Sequence, residues 1–232
     1  MELVKTGIPG LDELLKGGVK PDSNILITGT PGSGKTIFGL QFIYEGAKSG
    51  DNGLFVSCEE TEQSILDYAQ SFGFDTKKYQ SKIKFMYQSI DGKVVTLGPI
   101  IDAIKTNKPK RVVFDSLTLF KYLGLEERAY RKEILSFLQR LREFGVTLIA
   151  TAERNMEGLD NVEYKPEDFL FDCVILLTRV RKGSTYERCI TIVKMKGKDY
   201  INGVFPFNIT GEGVEVYPDQ IPFSLIEKSE KF

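Results

Sequence analysis

Apolar runs and amphipathic segments alternate along the first two thirds of the chain. Runs such as "NILITG" at 24–29 have the length and composition of buried strands, and apolar residues at helical spacing follow at 37–48. The pattern predicts strands at 24–29, 53–58, 82–87, 111–117 and 146–153, and helices beginning at 11, 37, 62, 97 and 126. Because right-handed crossovers between parallel strands need intervening helices, this order predicts an α/β fold with a mainly parallel, twisted sheet and helices on both faces.

The pattern changes after Phe171, where predicted strands follow one another without helices. The segment 172–195 predicts a hairpin that turns at Lys182-Gly183, and 205–217 predicts a second hairpin around its Gly-Glu-Gly sequence. Antiparallel hairpins are therefore expected at the C-terminal side of the sheet.

Composition indicates an ordinary folded protein of moderate size. The 232 residues are 41% hydrophobic and 27% charged, which is enough to bury one substantial core. We expect a single domain at 1–217 and a loosely attached tail at 218–232. The formal net charge is −1, so any contact with nucleic acid has to come from a local basic patch.

The residue types exclude some kinds of chemistry. The chain contains no histidine, which excludes histidine acid–base catalysis and removes the commonest transition-metal ligand, so carboxylate, lysine and magnesium chemistry remain. Cys58, Cys173 and Cys189 form no C-x-x-C pair, and they are expected to be buried and reduced. The N-terminus lacks the pattern of a signal segment and the apolar runs are too short for a membrane span, which predicts a cytoplasmic protein without a membrane partner.

One glycine-rich stretch carries a phosphate-binding signature. "GTPGSGKT" at 29–36 fits G-x-x-x-x-G-K-[ST] and falls between a predicted strand and a predicted helix. Backbone N–H groups are expected to bind phosphate oxygens, Lys35 to reach the β- and γ-phosphates, and the Thr36 hydroxyl to bind magnesium. The predicted nucleotide-binding residues are Thr30, Pro31, Gly32, Ser33, Gly34, Lys35, Thr36 and Ile37.

Carboxylates end two other predicted strands. Asp115 follows "RVVF" and is predicted to bind a water of the magnesium shell, since ligands gather at the carboxyl ends of parallel strands. "FVSCEE" ends in Glu59 and Glu60, of which Glu59 is the favoured base that orients and deprotonates the attacking water, while Glu60 adjusts the local charge or contacts magnesium. The alternative is that Glu60 belongs to the first turn of the next helix, favoured by the helix dipole, and that neither is catalytic.

Six motifs occur in a characteristic order. They are "TGIPGLDELLKGG", "GTPGSGKT", "FVSCEE", "SFGFD", "VVFDSL" and "ITIVKMKGKDYINGVFPFNITGEGVEV". With this combination the chain resembles the KaiC-like branch of the RecA superfamily, which are hexamer-forming P-loop ATPases, over nearly its whole length. The resemblance implies a RecA-like core, ATP or ADP with Mg²⁺ at subunit interfaces, a homo-oligomer that is expected to be a hexamer, and the two glutamates near the γ-phosphate.

The resemblance also implies a role for "KMKG" at 194–197. In the family this segment resembles a finger that one subunit points at the nucleotide of the next, where positive charge stabilises the transition state of phosphoryl transfer. Lys194 and Lys196 alternate along a strand and so face one side. Both are predicted to be catalytic, and the alternative is two lysines on a solvated strand face. Lys196 stands where relatives typically carry arginine, so it offers a point charge in place of a bidentate fork.

The chain departs from the family pattern in ways that affect function. It resembles one of the two tandem RecA-like halves that the circadian clock members of this family contain. Kinase members carry an adjacent Ser-Thr acceptor pair where this chain reads "KPEDFLFD", so autokinase activity is not expected. The "RGS-x-H" pattern after the finger is replaced by "KGKDY", which removes the histidine contact.

Three functions remain open from the sequence. The favoured one is a magnesium-dependent, oligomeric ATPase with an unidentified protein partner. A DNA-binding recombination accessory is suggested by kinship with RecA and by basic stretches at 108–111 and 179–182, but charge runs are usually solvated faces and the net acidity counts against strong affinity. The third is a nucleotide-gated signalling module with little turnover.

Overall fold

The structure is a computed structural model that describes residues 2–88, 97–118, 120, 126–154, 164–182 and 184–229. Its strands are β1 (Asn24–Gly29), β2 (Gly53–Ser57), β3 (Ile83–Tyr87), β4 (Arg111–Asp115), β5 (Thr147–Glu153), β6 (Cys173–Lys182), β7 (Thr185–Met195), β8 (Val204–Thr210) and β9 (Gly213–Val216). Its helices are α1 (Leu11–Leu14), α2 (Lys35–Lys48), α3 (Glu62–Ser71), α4 (Gly98–Asn107), α5 (Glu127–Glu143) and α6 (Phe223–Ser229), with a 3-10 helix at Pro166–Phe169.

The described strands form one mixed sheet in the order β3-β2-β4-β5-β1-β6-β7-β8-β9. Neighbours from β3 to β6 pair in parallel, and β6 to β9 pair antiparallel. The predicted α/β fold with a parallel core and C-terminal antiparallel strands is therefore confirmed. The first hairpin pairs Lys182 with Thr185, and Gly183, predicted in its turn, lies outside the described residues. The second pairs Thr210 with Gly213, so Gly213 begins β9.

Helices cover both faces of the sheet, as the alternating pattern predicted. On one face, Phe38 and Phe42 of α2 join a core that includes Ile25 of β1 and Ile175 of β6. On the other face, α5 buries one side against the strands; this side consists of Tyr130, Ile134, Phe137, Leu138 and Leu141. Strands β1 and β2 are buried along their whole length, which explains why they read as continuous apolar runs.

The parallel arrangement brings the carboxyl ends of β1, β2, β4 and β5 to one edge of the sheet. Gly29 lies beside Glu153, and Ser57 lies beside Asp115. The loops that follow these strands therefore meet, and ligands of α/β sheets bind at such an edge.

Arg111, which the sequence placed in a basic stretch at 108–111, is a buried structural residue. Its guanidinium donates hydrogen bonds to Asp51, at 3.0 Å, and to the carbonyl oxygens of Lys5 and Phe42, at 2.7 and 3.1 Å. Gly46 makes room for it, because a Cβ there would lie 2.4 Å from Arg111 Cδ. The stretch therefore presents fewer cations to solvent than the sequence suggested.

The segment expected to be a loose tail contains a helix that the sequence pattern did not predict. The backbone N–H groups of Phe223 and Ser224 at the start of α6 donate to the two carboxylate oxygens of Glu187, each at 3.0 Å. This contact ties the helix to β7. Residues 230–232 of the same segment lie outside the described residues.

The three cysteines are free and buried, as predicted. Burial raises the pKa of each thiol to about 12, so all three remain protonated at neutral pH. Within the described ranges, no helix is both long enough and apolar enough to cross a membrane.

Candidate functional site

The loop between β1 and α2 is shaped to bind an anion. Gly32 and Gly34 have φ angles of 72° and 101°, a region that glycine adopts without strain. Gly34 is the N-cap of α2, and within the described residues no side chain caps this helix and no acidic residue lies in its first turn. The helix N-terminus therefore keeps backbone N–H groups for phosphate oxygens. The Ser33 hydroxyl is buried and has no hydrogen-bond partner among the described residues.

Lys35 lies against this loop and faces carboxylates. Its ammonium group donates to the carbonyl oxygens of Gly29 and Thr30, each at 3.1 Å. Burial lowers the pKa of Lys35 from its ordinary value, while the negative charges of Glu153, Asp115 and Glu59 act in the opposite direction. An ammonium group held by weak carbonyl acceptors can turn to phosphate oxygens when these arrive.

Asp115 is connected to the loop through Thr36. The Thr36 hydroxyl donates to Asp115 Oδ2 at 2.8 Å, and the Thr151 hydroxyl of β5 donates to Oδ1. Burial raises the pKa of the Asp115 carboxyl above its ordinary value, although both hydrogen bonds and the Lys35 charge act to lower it. A second cation beside this carboxylate would favour its charged form.

The two adjacent glutamates occupy different environments. Glu59 Oε1 accepts a 2.9 Å hydrogen bond from the hydroxyl of Ser116, the residue that follows Asp115. Both glutamates are exposed, and the backbone N–H of Glu60 donates to Ser57 Oγ at 3.0 Å. Helix α3 begins after Thr61, whose hydroxyl accepts from the Ser64 N–H, so Glu60 lies before the helix. The structure thus brings Glu59, and not Glu60, against the strand that carries Asp115.

Most of the predicted site residues lie together, while Ile37, Lys194 and Lys196 lie elsewhere. Those that gather at the carboxyl edge are the loop residues Thr30, Pro31, Gly32, Ser33 and Gly34, with Lys35, Thr36, Asp115 and Glu59. Ile37 is buried in the core, with 2% of the residue exposed, and its N–H donates to the Gly34 carbonyl.

Lys194 and Lys196 lie at the opposite edge of the sheet. Lys194 pairs with Val174, which pairs with Leu26 near the start of β1, whereas the phosphate-binding loop follows Gly29. Leu26 and Gly29 are three residues apart, so at the usual rise of a β-strand Lys194 lies roughly 10 Å along the strand direction from the start of the loop. The backbone of Lys194 therefore lies about three residues below the start of the loop of its own chain.

Both lysines contact the same 3-10 helix. Lys194 donates to the carbonyl oxygen of Asp168, and Lys196 to that of Phe169 at 3.4 Å. The Asp168 carboxylate is buried and forms an ion pair with Arg154, whose backbone N–H donates to the Gly29 carbonyl at 3.1 Å. A continuous set of contacts thus connects the lysines to the start of the phosphate-binding loop.

Three polar side chains of the site were not predicted from the sequence. They are Ser116, Thr151 and Glu153. Glu153 ends β5 as Asp115 ends β4, so the position of a carboxylate at a strand end was an available signal. Thr151 interrupts an apolar strand, and a buried hydroxyl there indicates a partner nearby. Nothing in the local sequence pairs Ser116 with Glu59.

Oxygen donors at the edge fit a magnesium ion. The Thr36 hydroxyl and the Asp115 carboxylate lie within hydrogen-bond distance, and Mg²⁺ in proteins is commonly held by one or two such ligands together with phosphates and waters. Within the described residues there is no cluster of three or more His, Cys, Asp or Glu side chains that could hold a metal. Thr36 and Asp115 therefore suit a magnesium ion whose other ligands are phosphate oxygens and waters.

A cavity of about 460 Å³ lies beside α2. Its lining includes Tyr44 and Gln41 of α2, Phe72 after α3, and Thr210 at the end of β8. The neighbouring Ile209 lies over the phosphate-binding loop, since a Cβ on Gly34 would be 2.9 Å from Ile209 Cδ1. The amide of Gln41 fixes the β8–β9 hairpin by bonding both the N–H and the carbonyl of Val214, at 2.7 and 3.1 Å. The cavity and the loop are thus neighbours along one face.

Comparison with known protein families gives one match over most of the chain. The family described as "ATPase: KaiC" matches residues 4–221. The circadian clock protein KaiC3 of Synechocystis sp. is 35% identical over 100% of this chain and 48% of its own length. The circadian clock oscillator protein KaiC of Synechococcus elongatus is 33% identical over 93% of this chain and 44% of its own length. The chain spans about half the length of the curated relatives it matches.

A solved structure agrees in fold. The KaiC-like protein PH0186 from Pyrococcus horikoshii OT3 matches with a TM-score of 0.82 and 36% sequence identity. The match covers 93% of this chain and 99% of that one.

Proposed function

The chain belongs to the KaiC family of ATPases, and we propose that it binds ATP with Mg²⁺ at the 29–36 loop and hydrolyses it as an oligomer with sites between subunits. The observation that carries this proposal is the convergence of Lys35, Thr36, Asp115 and Glu59 at the carboxyl edge of the sheet. These side chains come from three separate strand ends, and each has the chemistry that phosphoryl transfer requires.

Each residue has a distinct part in the proposed reaction. Backbone N–H groups of the loop and Lys35 hold the phosphate tail and its developing charge. Thr36 and Asp115 would hold magnesium, and the bound ion would neutralise negative charge on the phosphate oxygens. Glu59 is the general base, because the Ser116 hydroxyl holds its carboxylate beside the strand that carries Asp115.

We propose that the cavity beside α2 accepts the adenine base. It lies beside Ile209, which contacts the loop, and the aromatic residues Tyr44 and Phe72 are part of its lining. Phe72→Ala should weaken ATP binding by about tenfold, since base–aromatic stacking contributes about 1–3 kcal/mol. Tripolyphosphate, which has no base, should bind this variant and the unchanged chain equally in a calorimetric titration. Equal loss for both ligands would place Phe72 in a structural role.

The finger segment 194–197 would act on the nucleotide bound by a second copy of the chain. Lys194 and Lys196 lie toward the end of the sheet opposite their own phosphate-binding loop, which favours a role for them at the nucleotide of a neighbouring subunit. A head-to-tail contact between the two edges generates a ring if the rotation closes, and the family resemblance favours a hexamer. We expect a ring of identical subunits.

Lys194→Ala should leave ATP binding by dilute subunits unchanged and slow hydrolysis in the assembled protein by at least tenfold. Cationic fingers from a neighbour contribute up to about 10³–10⁵-fold in phosphoryl transfer. The measurement is phosphate release at a protein concentration where native mass spectrometry shows the oligomer. Lys105→Ala, an exposed lysine on α4, is the matched control. Normal turnover by assembled Lys194→Ala would remove the finger from the mechanism.

The ATPase proposal itself is tested by magnesium-dependent phosphate release. Purified protein should release phosphate from ATP when magnesium is present and stop when it is chelated. Tight ATP binding without release would instead favour the nucleotide-gated signalling module. We expect no autophosphorylation at 165–172, because that segment contains no Ser, Thr or Tyr.

A further inference from the structure

One arginine outside the motifs lies against the phosphate-binding loop of its own chain. Leu177 of β6 pairs with Gly29, and Arg179 follows two residues later, just beyond the carboxyl edge. Residues two apart on a strand share a face, and Leu177 belongs to the core on the α2 side. Arg179 therefore projects on the side of the sheet where the loop and the start of α2 lie.

The guanidinium of Arg179 is close to the middle of the loop. A Cβ placed on Gly32 would lie 3.7 Å from Arg179 Nη1. The same guanidinium stacks on the ring of Tyr186, with its central carbon 4.8 Å from the ring centroid. This stacking restricts the rotation of the Arg179 side chain, and the N–H donors still point outward in the plane of the guanidinium.

The donors of Arg179 have no protein acceptor among the described residues. None of the hydrogen bonds and ion pairs found there involves this guanidinium. Arg179 pairs across β6 and β7 with Arg188, whose Nε is buried and has no partner among the described residues. Two cations that face each other on neighbouring strands are unfavourable unless an anion lies nearby. The site thus combines unpaired positive charge with an anion-binding loop.

We propose that Arg179 binds the phosphate tail of the nucleotide held by its own chain, with Tyr186 holding the guanidinium in place. This inference rests on the proposed function and deepens it, because it adds a cation that each subunit supplies to its own site. A planar guanidinium can bond two phosphate oxygens at once. The contact does not need a neighbouring subunit, in contrast to that of Lys194.

The test compares Arg179→Gln with Arg181→Gln. Both variants lose one positive charge from the same face of β6, but Arg181 lies two residues farther from the loop. Dissociation constants for magnesium-ATP and for magnesium-tripolyphosphate are measured by calorimetric titration. Arg179→Gln should weaken both ligands by about tenfold, as expected for loss of a charged hydrogen bond. Arg181→Gln should change either by less than about twofold.

Two further variants separate a binding role from a structural one. Arg179→Lys keeps the charge without the fork and should recover part of the lost affinity. Tyr186→Leu keeps Arg179 but removes its stacking partner, so it should weaken both ligands by a smaller factor than Arg179→Gln. Melting temperatures of all variants should stay close to that of the unchanged protein, because Arg179 and Tyr186 are exposed.

The possible outcomes are distinct. Unchanged affinity in Arg179→Gln, or an equal loss in Arg181→Gln, would overturn the assignment of Arg179 as a phosphate ligand while leaving the ATPase proposal intact. Failure of the unchanged protein to bind either ligand would overturn the proposed function, and the inference with it.

Discussion

Lys35→Ala should abolish measurable nucleotide binding while the protein remains folded. We expect Lys35 to give two charge-assisted hydrogen bonds to the β- and γ-phosphates, each contributing about 1.5–3 kcal/mol, so the dissociation constant should rise by about 10²–10⁴-fold. In the protein alone the ammonium group bonds two loop carbonyls, of Gly29 and Thr30. Its loss should therefore cost little stability.

Titration with a fluorescent ATP analogue measures the effect of this substitution. Lys105→Ala is the matched control, because this lysine is exposed on α4 and its ion pair with Asp102 is 3.9 Å long. A melting temperature close to that of the unchanged protein shows that the fold is intact. Binding by Lys35→Ala within a few-fold of normal would show that the 29–36 loop is not the nucleotide site.

Glu59→Gln should separate binding from hydrolysis. The amide can still accept the hydrogen bond from Ser116, so the local structure and ATP affinity should be preserved. The amide cannot accept a proton from the attacking water, and hydrolysis should fall by about 10²–10⁴-fold, the range of general-base catalysis. Single-turnover phosphate release, with enzyme in excess over ATP, measures the chemical step.

Glu60→Gln is the control for this prediction. Glu60 is adjacent in the sequence, carries the same charge and is exposed like Glu59, but its contact with Ser57 is made by its backbone N–H, whereas the Glu59 carboxylate accepts from Ser116. It should reduce turnover much less than Glu59→Gln does. If Glu60→Gln has the larger effect, the two glutamates exchange roles, and normal hydrolysis by both variants would mean that neither is the base.

Much of the fold could be predicted because its signals are local. Apolar runs such as 24–29, with helical spacing between them, identify a parallel sheet covered by helices, and the structure has that sheet. Two strand-like segments joined at 182–183, with no helix between them, identify the first hairpin. Glycines followed by Lys35 and Thr36 identify the phosphate-binding loop, since both the backbone shape and the donors lie within eight residues.

The remaining features depend on contacts between distant parts of the chain. Glu59 differs from Glu60 only because Ser116, far along the sequence, donates to one of them. Arg111 seemed basic and exposed in sequence, but the missing side chain of Gly46 leaves space for it inside. The N–H groups of Phe223 and Ser224 at the start of α6 are bound by Glu187, which lies on β7. No pattern read along the chain can supply such pairings.

We propose above that this chain hydrolyses ATP at a site completed by a neighbouring copy. The most direct test is ATP turnover per subunit, measured over a wide range of protein concentration with magnesium and saturating ATP, while native mass spectrometry reports the oligomer. Turnover per subunit should rise with concentration and level off as the oligomer forms. Measurable turnover that stays constant while subunits are shown to be monomeric would contradict the claim, because catalysis would then be complete within one chain.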